Sequence, residues 1–336
     1  MRLKLQNLPP AWARFCLGIQ SFMERLAGES IKDRKLLVAF SGGADSTALL
    51  RVMDIIRIRS GINISAVHLN HMLRPGAHAD EEFSRGLCSD LDIPITCGRS
   101  NVSAYARIKK TGLEEAARTV RYNFILALAA RQKADYILTG HHLNDLAEDV
   151  IMRLGRGTGW PGLSGMTGFD PARKLVRPFL LTPRQKILDF LSVLGQEYMC
   201  DSSNEDVSFS RNKIRHEVLP VLEEVNPGIL KSVAGLWELG RIDGDYWQEF
   251  LKNIDVPTRD GGKYVSRGML EPLPRAARLR LYKKVLDELG PGQALFDNLN
   301  DLDQLWKQNA GNKAIQFPGN KLGTILKKGI MFRIAG

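Results

Sequence analysis

The stretch of sequence that decides the fold is an apolar run followed by a glycine turn, Leu36-Leu37-Val38-Ala39-Phe40-Ser41-Gly42-Gly43-Ala44-Asp45-Ser46-Thr47. An apolar run of this length that stops at glycines predicts a buried strand of a parallel sheet, and a helix is predicted to follow it over 46–59. Glycines let the backbone approach a ligand closely, and the start of a helix offers unpaired N–H groups with partial positive charge. The turn therefore predicts a phosphate-binding loop between a strand and a helix.

Polar side chains in the turn support this interpretation. Ser41 and Ser46 add hydroxyl donors, and the carboxylate of Asp45 is suited to hold Mg²⁺ on phosphate oxygens. The alternative is a tight strand-to-helix turn in which Ser or Asp only caps the helix, but the complete Ser-Gly-Gly-x-Asp-Ser string favours phosphate binding. The turn lacks the Gly-Lys-Ser/Thr of a Walker loop, and no Gly-x-Gly-x-x-Gly follows a predicted strand.

Strands and helices alternate on both sides of the turn. Further strands are predicted at 62–69, 94–96 and 135–139, and helices at 10–28, 80–90, 112–132, 144–154 and 182–194. This alternation is typical of βαβ units, and so it predicts an α/β fold with a parallel sheet that helices cover on both faces.

The pattern changes in the last third of the chain. A helix over 212–225 ends at Asn226-Pro227-Gly228, and the residues beyond it are predicted to be mostly helical until Lys313, with short strands over 313–334. We therefore expect a catalytic domain over 1–222 and a smaller, mostly helical domain over 223–336. Three tryptophans at helical spacing with leucines are expected in its core, namely Trp237, Trp247 and Trp306.

Composition restricts the class of protein. The chain has 336 residues and a formal charge of +10, which weakly favours an acidic partner such as nucleic acid. Its four cysteines form no CxxC pair, so neither a disulfide framework nor a zinc knuckle is indicated. No signal peptide or membrane-spanning stretch is recognised, and a reducing, cytoplasmic location is expected.

The glycine turn resembles the pyrophosphatase-loop (PP-loop) signature SGGxDS of enzymes that cleave ATP between the α and β phosphates. This resemblance implies that ATP binds at Ser41, Gly42, Gly43, Ala44, Asp45 and Ser46, with Mg²⁺ on Asp45. Four further strings, in order, resemble the tRNA(Ile)-lysidine synthase family. They are Val67-His68-Leu69-Asn70-His71-Met72-Leu73-Arg74, Glu114-Glu115-Ala116-Ala117-Arg118-Thr119-Val120-Arg121-Tyr122, Thr139-Gly140-His141-His142-Leu143-Asn144-Asp145-Leu146-Ala147-Glu148-Asp149, and Asp201-Ser202-Ser203-Asn204 with the segment Arg211 to Pro220.

The family resemblance implies a reaction and its partners. In that family ATP adenylates the C2 oxygen of cytidine 34 in the CAU anticodon of tRNA(Ile), and L-lysine then displaces AMP to form lysidine. The resemblance also implies that Asp145 and Glu148, which lie on one helix face at i and i+3, bind the substrate lysine. A solvated acidic helix face is the alternative for this pair. The oligomeric state is left open, and a homodimer is compatible with the resemblance.

Several basic residues and one histidine are candidates for the chemistry. Arg118 and Arg121 are candidates for contact with the α-phosphate, whose transfer requires positive charge, although an ordinary basic helix face would look the same. Arg211 and Arg215 are candidates for phosphate or adenylate contact, with surface ion pairs to Glu217 or Glu223 as the alternative. His142 is a candidate base, since an unperturbed imidazole pKa near 6.5 suits that role.

The second domain offers a basic patch for tRNA phosphates. Its candidate residues are Arg278, Arg280 and Lys283, which alternatively serve only solubility. Two other function classes compete with the ligase. A tRNA thiolase of the same superfamily would be expected to use cysteine pairs, which this chain lacks, and a non-catalytic RNA-binding module would not need an intact Ser41, Asp45 and Ser46.

Overall fold

The apolar run before the glycine turn forms an inner strand of a six-stranded sheet. The structure is a computed structural model that describes residues 3–73, 76–199 and 210–335. The strands of this sheet are β1 Lys35–Ala39, β2 Asn63–Asn70, β3 Ile95–Arg99, β4 Tyr136–Leu138, β5 Phe169–Asp170 and β6 Leu175–Val176. Their order is β3-β2-β1-β4-β6-β5, and all neighbours pair in parallel except β5 with β6. The predicted α/β fold with a parallel sheet is confirmed.

Strand β1 shows why both faces of this sheet are covered. Side chains alternate across a strand, and so Leu36 and Val38 join one apolar cluster while Leu37 joins another on the opposite face. All three are at most 1% exposed. The first cluster includes Phe15 of the N-terminal helix, and the second includes Leu128 of a later helix.

The helices follow the predicted order with two differences. They are α1 Pro10–Ala27, α2 Ala44–Ser60, α3 Ala77–Asp90, α4 Val102–Lys109, α5 Leu113–Gln132, α6 Leu143–Gly155, α7 Arg184–Val193, α8 Ser210–Lys213, α9 Leu219–Val225, α10 Ile229–Lys252, α11 Arg267–Leu270, α12 Arg275–Glu288 and α13 Phe296–Lys307. Short 3₁₀ turns span Leu5–Asn7 and Gly162–Ser164. Helix α4 was not predicted, and the helix predicted over 212–225 contains a π turn.

A π turn over Ile214–Val218 separates α8 from α9. The amide of Leu219 donates to the carbonyl of Ile214, five residues earlier. Pro220 has no N–H to donate to the turn before it, which removes an α-helical hydrogen bond at this point. The predicted helix is therefore present over this segment, and a π turn replaces one α-helical turn inside it.

The described chain divides into two units. The first comprises Met1–Asp149 and Met166–Ala234, and the second comprises Val150–Gly165 and Gly235–Gly336. The first unit contains the parallel sheet and the glycine turn. No helix among the residues that the structure describes is long and apolar enough to cross a membrane.

The second unit contains an antiparallel sheet as well as helices. Its strands are β7 Thr258–Arg259, β8 Gly262–Ser266, β9 Ala314–Phe317, β10 Lys321–Leu326 and β11 Gly329–Ile334, in the order β7-β8-β11-β10-β9. The C-terminal strands were predicted, whereas the β7–β8 hairpin was expected to be helical. Its turn is Asp260-Gly261, both with positive φ, which is a hairpin signal that the helical interpretation overlooked.

Arg278 lies in the core of the second unit. It is 5% exposed, and its Nε and Nη2 donate to the two carboxylate oxygens of Asp303 at 2.7 and 2.8 Å. The Tyr282 hydroxyl donates to the same carboxylate, and the guanidinium lies 4.9 Å from the ring centre of Trp306. Arg278 is therefore a structural ion-pair residue, and its assignment to an exposed tRNA-binding patch is corrected.

The three tryptophans of the second unit differ in burial. Trp237 and Trp306 are 3% and 8% exposed, as predicted for core residues. Trp247 is only half-buried, and the guanidinium of Arg280 lies 4.2 Å from its ring centre. The core prediction was wrong for Trp247.

Replacing Arg278 by Ala is expected to destabilise the second unit by about 3–5 kcal/mol, because the carboxylate of Asp303 would stay buried without its charged partner. Urea unfolding followed by circular dichroism measures the change. Lys283→Ala is the matched control, since Lys283 makes an exposed ion pair with Asp287 and such pairs contribute about 0–1 kcal/mol. Equal losses of unfolding free energy in the two variants would contradict the structural role of Arg278.

Candidate active site

The glycine turn between β1 and α2 is held by hydrogen bonds among its own residues. The amide of Ser41 donates to the hydroxyl of Ser46 at 3.2 Å, and the two hydroxyls lie 3.1 Å apart. The Ser46 hydroxyl also donates to the carbonyl of Gly43 at 3.0 Å, and Thr47 donates to the carbonyl of Gly42. Helix α2 begins at Ala44 without a side-chain cap. Its first amides are thus free of a capping side chain, as a phosphate-binding helix start requires.

Two glycines suit the geometry of this loop. Gly42 has a φ of +88°, which favours glycine. Gly140, which follows β4, lies against the start of α2. A Cβ added there would be 3.0 Å from the carbonyl carbon of Asp45 and 3.1 Å from the amide nitrogen of Ser46. The turn after β4 therefore approaches the glycine turn at the carboxyl edge of the sheet, where α/β proteins bind ligands.

Asp45 presents a carboxylate oxygen that lacks a partner. Its Oδ1 is buried and has no hydrogen bond to the described residues, and burial raises the pKa of this carboxyl. An uncompensated buried oxygen costs free energy, and a divalent cation is a partner that would offset this cost. Asp45 therefore fits the Mg²⁺ ligand predicted from the sequence.

His142 lies between Asp45 and Asp145 and immediately precedes helix α6. The amide of His142 donates to Oδ2 of Asp145 at 2.9 Å, and the amide of Asp145 donates to Nδ1 of His142 at 3.3 Å. This reciprocal pattern has the geometry of a capping box. It places the proton of a neutral His142 ring on Nε2, which lies 3.7 Å from Oδ2 of Asp45. The imidazole ring therefore lies between the two carboxylates.

Asp145 and Glu148 face Arg211 and Arg215. Arg211 donates from Nε to Glu148 at 2.7 Å and from Nη2 to Asp145 at 2.9 Å. Arg215 donates from Nε to Glu148 at 2.6 Å and from Nη2 to Asp145 at 3.2 Å and Glu148 at 3.1 Å. Burial would raise the pKa of Asp145, but the neighbouring His142 and Arg211 hold it below its usual value. Both arginines therefore pair with the acids of α6. They do not form the surface ion pairs with Glu217 or Glu223 that the sequence left open.

The acidic pair is buried rather than solvated. Asp145 is 9% exposed and Glu148 is fully buried, so the alternative of a solvated acidic helix face is excluded. The acids and the arginines form a closed group of two negative and two positive charges, which we call the charge quartet.

Three other histidines near the carboxyl edge are held neutral. Burial lowers the pKa of His71 to about 4 and that of His141 to about 3, and it also lowers the pKa of His68. His68 contacts the carbonyl of Phe40 at 3.0 Å, and His141 contacts the hydroxyl of Thr139 at 2.9 Å. Among the described residues, no group of three or more His, Cys, Asp or Glu side chains could hold a metal ion.

A cluster of arginines surrounds Tyr122 on α5. The guanidiniums of Arg118, Arg121 and Arg173 lie 5.0, 5.9 and 5.7 Å from the centre of its ring. Arg177, which follows β6, is 7% exposed and donates to the carbonyl of Thr167 at 2.6 Å.

The structure thus places the predicted pair Arg118 and Arg121 together with two arginines that the sequence analysis missed. The only signal for Arg173 and Arg177 was their position around the short strand β6. That strand was too short to be recognised from its apolar pattern.

The basic residues of the second unit border an open cleft of about 1050 Å³. Arg280, Lys283 and Lys284 line it together with Trp247, and Asp287 pairs with Lys283 at 2.5 Å. With Arg278 buried, Arg280 and Lys283 are the predicted tRNA-contact residues that solvent reaches.

Some predicted residues lie outside the described part of the chain. These are Arg74 of the string after β2, Cys200 and the string Asp201-Ser202-Ser203-Asn204.

The fold and this loop define a class of protein. Residues 18–222 match the family model described as the PP-loop domain, and the first unit is therefore a PP-loop ATP-binding domain. A solved structure of a U34-tRNA thiolase from Methanococcus maripaludis, with its 4Fe-4S cluster, shares this fold. Its TM-score is 0.53 at 16% sequence identity, over 68% of this chain and 80% of that chain.

Curated relatives identify the family more closely. A tRNA(Ile)-lysidine synthase of Nitratidesulfovibrio vulgaris is 39% identical over 91% of this chain and 93% of that protein. One of Geobacter sulfurreducens is 36% identical over 81% of this chain and 59% of that protein. The chain belongs to the tRNA(Ile)-lysidine synthase family.

Replacing Gly140 by Ala is expected to weaken ATP binding at least tenfold, because the added Cβ would press on backbone atoms of Asp45 and Ser46. Isothermal titration with ATP measures the affinity. Gly155→Ala on α6 is the control, since a Cβ there would meet no heavy atom within 4 Å. Unchanged ATP affinity in Gly140→Ala would contradict the close approach of the two turns.

Proposed function

We propose that this protein ligates L-lysine to C2 of cytidine 34 in the CAU anticodon of tRNA(Ile), using ATP and releasing AMP and pyrophosphate. The product, lysidine, switches decoding from AUG to AUA. Family membership supports the reaction. The observation that carries the site assignment is the path from the PP-loop through His142 to the buried Asp145 and Glu148.

ATP and Mg²⁺ are assigned to the glycine turn. We propose that the loop residues hold the phosphates through backbone amides and hydroxyls, namely Ser41, Gly42, Gly43, Ala44, Asp45 and Ser46. The unpaired Oδ1 of Asp45 fits a Mg²⁺ ligand, and the ion when bound supplies positive charge against the phosphate oxygens. We assign Arg118 and Arg121 to the charge that develops on the α-phosphate.

The two chemical steps place different demands on these residues. In the first, the C2 oxygen of cytidine attacks the α-phosphorus and pyrophosphate leaves. In the second, the ε-nitrogen of lysine bonds to C2, the C2–oxygen bond breaks, and AMP departs with that oxygen. The amine loses a proton, and His142 can accept it at Nδ1 only by releasing the amide of Asp145.

Substrate tRNA needs a basic surface beyond the catalytic domain. We assign Arg280 and Lys283 to contacts with tRNA phosphates. The guanidinium of Arg280 lies over the ring of Trp247. This pair is suited to contact a nucleic acid, because arginine and tryptophan both offer planar surfaces to a base. A cytoplasmic location and a homodimeric assembly are further proposals that rest on family membership alone.

The ligase reaction is tested by incubating the protein with ATP, L-lysine and a tRNA(Ile) transcript carrying CAU. We expect AMP formation that requires both tRNA and lysine, and a nucleoside at position 34 whose mass has gained one lysine less water. Asp45→Ala should abolish AMP formation, because it removes the Mg²⁺ ligand.

Two outcomes would overturn the proposal. AMP formation at the same rate with any amino acid and no tRNA would exclude the ligase. Incorporation of sulfur into the tRNA would indicate the thiolase class instead.

Replacing Arg280 by Glu is expected to weaken tRNA binding and to reduce the salt slope by about one, as expected for the loss of one phosphate contact. Filter binding at several salt concentrations measures both quantities. Arg131→Glu, an exposed change on α5, controls for net charge. Identical slopes for the two variants would show that Arg280 does not contact tRNA.

A further inference from the structure

The last turn of helix α4 is basic and exposed. The helix spans Val102–Lys109 and contains no aspartate or glutamate. Arg107, Lys109 and the C-cap residue Lys110 are all exposed, and Ile108 among them is 78% exposed. Among the described residues, none of these three cations has an ion pair or a side-chain hydrogen bond. We call Arg107, Lys109 and Lys110 the basic end of α4.

This end of the helix projects into solvent on every side. Successive residues of an α-helix turn by about 100°, so residues 107–110 cover roughly a full turn. All four are exposed. The packing contact of the helix lies earlier, where Val102 and Ala106 are buried together with Ala116 of α5. The basic end is therefore held by a fixed helix while its side chains stay accessible to a large ligand.

The start of α4 is attached to the edge of the sheet that carries the candidate active site. The amide of Ser100 donates to the carbonyl of Asn70 at 2.9 Å, and the amide of Val102 donates to the carbonyl of His71 at 3.4 Å. Asn70 ends β2, which runs parallel to β1, so this attachment and the PP-loop lie at the same carboxyl edge. An α-helix of this length spans about 12 Å. The basic end thus lies within about 12 Å of that attachment.

The open cleft of the second unit offers less uncompensated positive charge. Four acidic and four basic residues line that cleft, and Lys283 is already paired with Asp287. The acids nearest to the basic end in sequence, Glu114 and Glu115, begin α5 and make no ion pair with it in the described part of the chain. Three cations without an acid suit an anion that carries no cationic group of its own. An RNA phosphodiester is such an anion, whereas a free amino acid is not.

We propose that the basic end of α4 binds phosphodiesters of the tRNA anticodon arm beside cytidine 34. The inference rests on the proposed ligase function, in which cytidine 34 must reach over the carboxyl edge to meet ATP. It gives the catalytic unit an RNA contact of its own. Contacts to phosphates fix the position of a nucleic acid without reading its sequence. The basic end of α4 therefore positions the anticodon and does not select the CAU sequence.

A triple variant tests this contact by binding. Arg107→Gln with Lys109→Gln and Lys110→Gln removes three charges and keeps residue types that favour a helix. The complete chain is titrated with a CAU anticodon stem-loop RNA by filter binding at several salt concentrations. We expect binding at least about tenfold weaker at low salt and a salt slope smaller by about two, because each phosphate contact contributes about 0.7–0.9 to the slope.

The matched control removes three exposed cations from the opposite edge of the sheet. Lys32→Gln, Arg59→Gln and Lys133→Gln lie within four residues before β1, β2 and β4 and change the net charge equally. The salt slope of this control is expected to stay close to that of the unmodified protein. Unchanged KM values for ATP and lysine in both variants are expected, because neither set of residues touches the active site.

RNAs with one uncharged linkage locate the contact. A methylphosphonate at a single position removes the charge of one phosphate. Where the basic end contacts that phosphate, the change should weaken binding to the unmodified protein and cost the α4 variant less. Such coupling is the signature of a direct interaction, and we expect it at one or more linkages of the anticodon loop.

The outcomes separate this inference from the function beneath it. Equal losses of RNA affinity in the two triple variants would reduce the basic end to a net-charge effect and overturn the inference. Unchanged RNA affinity in the α4 variant would leave its cations to the helix dipole alone and would also overturn it, as would an absence of coupling at every linkage. No lysidine formation by the unmodified protein would overturn the ligase function, whereas the RNA contact of α4 is decided by binding alone.

Discussion

The ion pairs between α6 and the segment around the π turn are the interaction on which the site depends. They join residues 63 to 70 positions apart in the chain. Burying Glu148 without a partner would cost several kcal/mol, so the start of α6 and the segment at Arg211 stabilise each other. The reciprocal hydrogen bonds of His142 and Asp145 then link this group to the helix start, and through it to the PP-loop.

Much of the fold of the first unit could be predicted because the sequence patterns that indicate it are local. The apolar run at Leu36–Val38 is buried on both faces, and such a strand reads as a continuous hydrophobic stretch. Asp145 and Glu148 share a helix face by spacing alone. Gly42 and Asp45 follow from the strand-turn-helix pattern. The family strings added roles to these positions, which spacing could not supply.

The rest depended on contacts between distant segments, which no local pattern carries. Nothing near Arg211 in the sequence indicates that it reaches Asp145. Arg278 looked like the other exposed cations on α12 because its partner, Asp303, lies on α13. Arg177 joins the site only because β6 pairs with β4. The hairpin at Asp260-Gly261 did carry a local signal, and it was outweighed by the helical composition around it.

The π turn at Ile214–Val218 has a consequence for how this site can vary. A π turn accommodates one residue more than the α-helical path it replaces, and each residue of an α-helix advances the side-chain direction by about 100°. Loss of one residue from 216–218 would therefore turn Arg211 and Arg215 together, by about 100°, relative to α9. The direction in which both arginines point is thus set by the length of this turn as well as by its residues.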